Sequence, residues 1–115
     1  MKNLIYGTLL FIAGQSMIWF QTNGQFIWPW FKRNPLVVSL IAGTTISYMF
    51  IIATRNVAGY YDGLLWPGRF IAFGTGMVSF SILTWYFLGE GLSTKTLISL
   101  LLAVTLVAIQ ILWKS

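Results

Sequence analysis

The chain contains no cysteine and no histidine, and its 115 residues include only two carboxylates, Asp62 and Glu90. Without thiolates or imidazoles there is no usual transition-metal ligand set, no cysteine nucleophile, no disulfide and no side chain that titrates near neutrality. Each acid stands beside a glycine at the border of an apolar run, so a catalytic carboxylate dyad would have to be built from these two alone. No nucleophile has a base beside it, and neither an enzymatic activity nor a cofactor or metal is expected. Charge of either sign is also scarce. Only 8% of residues are charged, against about a quarter in an ordinary soluble domain. The net charge of +5 comes from seven scattered Lys and Arg, which gives no nucleic-acid footprint.

What the chain does have is apolar length. Hydrophobic residues make up 57% and aromatic residues 17%, and four uncharged runs emerge, from Asn3 to Phe20, Pro35 to Thr54, Phe70 to Gly89 and Thr96 to Trp113. Each is long enough to cross about 30 Å of hydrocarbon at about 1.5 Å per residue. Adding the first turns gives spans near 3–20, 35–54, 67–89 and 95–113 within one domain, residues 1–115. The first run continues through Met17, Ile18, Trp19 and Phe20 past the small residues "AGQS", and three further spans follow. It therefore reads as a helix rather than a cleaved signal. The expected fold is all-α, an integral-membrane four-helix bundle, and the expected solvent is a lipid bilayer of the bacterial inner-membrane type.

The joints suit headgroups. "TNGQFIWPWFKRNP" holds an Asn23-Gly24 turn signal, two prolines, two tryptophans and Lys32-Arg33. "TRNVAGYYDGLLW" is expected to be a loop of about 12 residues. In "GEGLSTK", Ser93 or Thr94 can cap the last helix. Trp19, Trp28, Trp30, Trp66, Trp85 and Trp113 fall near span ends, as an aromatic belt requires. With four crossings, Lys2, Arg55, Arg69 and Lys114 share one side, and Lys32, Arg33 and Lys95 the other. A bias of one charge leaves either orientation open.

In lipid, helices associate through small residues and hydrogen bonds. The third span carries Gly68, Ala72 and Gly76 at four-residue spacing, and the second carries Ser39, Gly43 and Ser47. The first offers Gly7 and Gly14, and the fourth Ser99 and Ala103. The second and third spans are therefore expected to have the strongest contact faces. Most hydroxyls can bond to their own helix, but Gln15, in the middle of the first span, cannot easily do so. It calls for either a partner helix or a wet cavity.

Arg69 also has two readings. If the third helix starts near Trp66, with Pro67 in its first turn, Arg69 is an anchor that reaches phosphates. If the helix starts at Gly63, Arg69 lies roughly 9 Å inside and needs a cavity or Asp62. A cation at a helix N-terminus opposes the macrodipole, a mismatch that an anionic ligand or headgroup would relieve.

The opening "LIYGTLLFIAGQ", the element "LLWPG", the stretch "TWYFLGEGLSTKTLISLLLAV" and the four-span length together resemble the small multidrug resistance transporters of the drug/metabolite transporter superfamily. The resemblance implies an antiparallel homodimer, inserted in both orientations, with a lipid or small-molecule substrate between the subunits. Cation exporters of that family use a glutamate in the middle of the first helix, where this chain has Gly14 and Gln15. Proton-coupled cation export is therefore not expected, and the likeness is to members without that acid, including glycolipid-carrier flippase subunits. On this reading Gln15, Trp19, Tyr48 and Trp66 would line a substrate site, with Arg69 near its mouth. The competing expectation is a non-transporting subunit that packs against, or stabilises, a larger membrane complex.

Overall fold

Four apolar segments fold as long helices because a backbone in hydrocarbon must satisfy its own hydrogen bonds. The computed structural model describes residues 1–113, and Lys114, counted in the charge balance above, lies outside the described residues. The order is α1 (Lys2–Asn23), a 3-10 turn (Gly24–Phe26), α2 (Pro29–Arg33), α3 (Pro35–Tyr60), α4 (Trp66–Leu88) and α5 (Thr94–Leu112). No strand occurs among the described residues. α1, α3, α4 and α5 are each long and apolar enough to span a membrane.

Local chemistry sets most of the boundaries. Pro35 and Pro67 fall in the first turns of α3 and α4, where the missing amide hydrogen costs nothing. Ser93 caps α5, its Oγ accepting from the Thr96 amide at 3.2 Å. Gly89 closes α4 in the left-handed region at φ 69°.

The second loop is shorter than the sequence suggests. α3 runs on through Arg55 and Asn56 to Tyr60, leaving a connection of residues 61–65. The reason is tertiary. Val57 is fully buried, pressed between Gly7 of α1 and Gly68 of α4, and that contact holds the extra turn helical. The helix then stops in a Schellman-type closure. The Gly63 amide donates to the Ala58 carbonyl at 2.7 Å, with Asp62 between them at φ 58°.

The helices alternate in direction. Gln15 reaches Ala72 and Trp19 reaches Thr84, so α1 and α4 run parallel. Gly7 meets Ala53 and Val57 while Gly14 meets Phe50, so α3 runs against α1. The tight connection 89–93 returns α5 alongside α4.

α1, rather than the α3/α4 pair, organises the fold. It packs extensively on both α3 and α4, whereas α3 and α4 touch each other little. An added Cβ at Gly7 would stand 2.9 Å from the Ala53 carbonyl oxygen, so the α1 and α3 backbones approach as only glycine allows. Phe11, Ala53, Val57, Ile71 and Ala72 form the core. α5 packs on α4 alone to any extent, with Gly74 against Val107 and only Ala103 buried. The result is a slab of 49 × 36 × 18 Å rather than a closed bundle.

Candidate functional site: a lateral groove beside a polar seam

Because α5 hangs on α4 and leaves α1 uncovered, a groove of about 680 Å³ opens between the three helices. Its walls run from Leu4 to Ser16 on α1, Ile71 to Leu83 on α4 and Leu100 to Leu112 on α5, about 18 Å along each helix. The volume falls in the range of ligand sites. The lining is apolar apart from the hydroxyls of Thr8, Ser16, Thr75 and Ser79. Ser16 and Thr75 donate to the carbonyls of Ile12 and Ala72 on their own helices, so these hydroxyls are satisfied as donors without a ligand and keep lone pairs free. No charged residue lines the groove.

Behind the groove lies the α1/α4 seam. Gln15 donates through Nε2 to the Ala72 carbonyl at 2.9 Å, and its amide lies against Gly76. Trp19 is 2% exposed, and its indole nitrogen donates to Thr84 Oγ1 at 2.8 Å. Both side chains therefore act as helix-to-helix ties. Gln15 takes the partner-helix reading, because the small faces of Ala72 and Gly76 bring α4 close enough to receive it.

The other residues singled out from sequence are not gathered there. Tyr48 is 68% exposed on the face of α3 turned away from α1, and Trp66 is 69% exposed at the start of α4. Arg69 is exposed in the first turns of α4, its amide donating to the Leu65 carbonyl at 3.2 Å. That is the geometry of the anchor reading. The polar seam and these three residues do not form one pocket. Gly68 and Ala72 are buried in helix contacts. Gly43 faces only the Gln21 side chain, whose Oε1 stands 3.6 Å from an added Cβ and is buried without a hydrogen-bond partner.

The α5 wall of the groove carries no signal in the sequence. Its residues are ordinary lipid-facing aliphatics, and a groove depends on how helices lean, which no local pattern encodes. Among the described residues there is no group of three or more His, Cys, Asp or Glu able to hold a metal. Compared with protein-family models, curated proteins and solved structures, the chain matches none.

Proposed function

We propose that the chain is a small membrane transporter or flippase of the small multidrug resistance type, acting as an antiparallel dimer on amphiphilic or lipid-like small molecules. The observation that carries this reading is the lateral groove. It is large enough for a ligand, lined almost wholly by apolar residues of three membrane-length helices, and open rather than enclosed. The absence of any carboxylate from its walls argues against exchange of a proton for a cation. The resemblance in "LIYGTLLFIAGQ" and "LLWPG" supports the same class.

Reconstitution in liposomes tests it. Transbilayer movement of fluorescent amphiphiles and lipid-linked sugars should exceed that of empty liposomes. Val104→Trp, which puts an indole into the groove and narrows it, should reduce the excess, while Ile51→Trp on the outer face of α3 should not. Flux absent for every substrate, or indifferent to Val104→Trp, contradicts the proposal.

A second reading rests on α3. Its outward face carries Thr44, Ser47, Tyr48 and Arg55, all exposed, a polar stripe that lipid does not favour. A non-transporting subunit would cover that stripe with a larger protein. Gentle extraction followed by sizing separates the two, because a clean homodimer supports the transporter and stoichiometric co-purification with a larger partner supports the subunit.

A further inference from the structure

The segment joining α1 to α3 is more than a belt of aromatics. Phe20, near the end of α1, and Trp28, Trp30 and Phe31, around α2, line a shallow, open hollow of about 390 Å³. Phe31 lies 5.4 Å from Trp28 and 5.6 Å from Trp30 between ring centroids, and Phe20 lies 6.2 Å from Trp28. Phe87 of α4 backs the cluster, 5.4 Å from Phe20 and 6.3 Å from Trp28.

The cage is built by its surroundings. An added Cβ at Gly24 would sit 2.6 Å from Phe31 Cδ2, so only glycine lets that ring lie against the 3-10 turn. The Gly24 carbonyl accepts from the Trp28 amide at 2.8 Å, which fixes where the indole begins. Asn34 closes α2 by donating from Nδ2 to the Trp30 carbonyl at 2.9 Å. Trp28 and Trp30 remain 39% and 48% exposed, so the rings are held but not covered.

Partly exposed aromatic rings, here packed on one another in tilted and edge-to-face contacts, attract cations, quaternary ammonium groups above all. Lys32 and Arg33 directly follow Phe31 in α2 and are both exposed, so a free cation would approach a positively charged segment. A ligand that places a positive group in the cage and a negative one beside it satisfies both features. The location, in the link between two membrane-spanning helices, is the depth at which such zwitterions occur.

We propose that Phe20, Trp28, Trp30 and Phe31 bind the quaternary ammonium of a phosphocholine lipid headgroup whose phosphate pairs with Lys32 and Arg33. This site is separate from the groove and holds whether or not the chain transports.

The test uses the full-length protein in maltoside micelles, titrated calorimetrically with short-chain phosphatidylcholine, phosphatidylethanolamine and phosphatidylglycerol of equal tail length. The choline lipid should bind roughly tenfold tighter than the ethanolamine lipid. Trp30→Leu should remove most of that preference. Lys32→Gln with Arg33→Gln should weaken all three lipids together and leave the choline preference in place. Tetramethylammonium chloride should bind at least tenfold more weakly than the choline lipid. Equal affinity for the three lipids overturns the proposal, as does a preference that survives Trp30→Leu, or tetramethylammonium binding as tightly as the lipid. Trp30 is half exposed, so its variant keeps the fold, and helix content measured by circular dichroism verifies this.

Discussion

The side chain of Gln15 lies flat against Gly76, where an added Cβ would stand 2.9 Å from Cδ, while its Nε2 donates to the Ala72 carbonyl at 2.9 Å. A polar group in the middle of a membrane helix is thereby spent on joining α1 to α4. Gly76→Leu should displace the amide, break that bond and destabilise the fold by about 2 to 3 kcal/mol. Val78→Leu, on an exposed site, should change stability by less than about 0.5 kcal/mol. Unfolding in mixed micelles titrated with sodium dodecyl sulfate measures both.

Glycine has opposite values at two positions. At Gly7 a Cβ would meet backbone, 2.9 Å from the Ala53 carbonyl oxygen, whereas at Gly59 the nearest atom is Asn3 Nδ2 at 3.8 Å. Gly7→Ala should cost about 1 to 3 kcal/mol, since α1 and α3 must separate. Gly59→Ala should stabilise by about 0.5 to 1 kcal/mol, because alanine restricts the unfolded chain and fits a helix. The same titration should give shifts of opposite sign.

The bond from Trp19 to Thr84 should be visible as coupling. Thr84→Val keeps the shape and leaves the indole N–H without its acceptor; Trp19→Phe removes the donor. A double-mutant cycle should return a coupling of about 1 kcal/mol, and additivity of the two changes would count against the bond.

Gln21 Oε1 is buried with no donor facing it, and Gly43 lies opposite. Gly43→Ser places a hydroxyl within reach and should stabilise the α1/α3 contact by about 1 kcal/mol. Gly43→Val adds bulk without a donor and should not. Thermal unfolding in detergent distinguishes the pair.

The four spans, the first turns at Pro35 and Pro67 and the cap at Ser93 were legible in the sequence, because length without charge and local capping chemistry act over a few residues. The end of α3 was not. Arg55 and Asn56 read as an exit from lipid, and what keeps them helical is the burial of Val57 between Gly7 and Gly68, contacts 50 and 11 residues away in sequence. The central place of α1 was hidden for a related reason. Gly7 and Gly14 are only two residues, but one heptad apart they lie on one face, each against a bulky side chain of α3. Nothing in the sequence separates Tyr48 and Trp66 from Gln15, because helices apolar on every side give no signal for which face turns inward. The cage around Phe31 was visible only as the run "FIWPWF", and Gly24, which seats the ring, read simply as a turn residue.

The central claim is that α1, α3, α4 and α5 cross a bilayer with their exposed apolar faces in lipid. A chain without cysteine permits a direct measurement, single-cysteine labelling in intact vesicles by a small membrane-permeant maleimide, which reacts only with thiols reached by water. Cysteines at Gln25, Asp62 and Gly91, in the connections, should label rapidly. Those at Ile12, Ile51, Val78 and Leu101 are exposed in the fold yet should stay unlabelled until detergent dissolves the membrane. Rapid labelling of these four positions in intact vesicles would contradict the account.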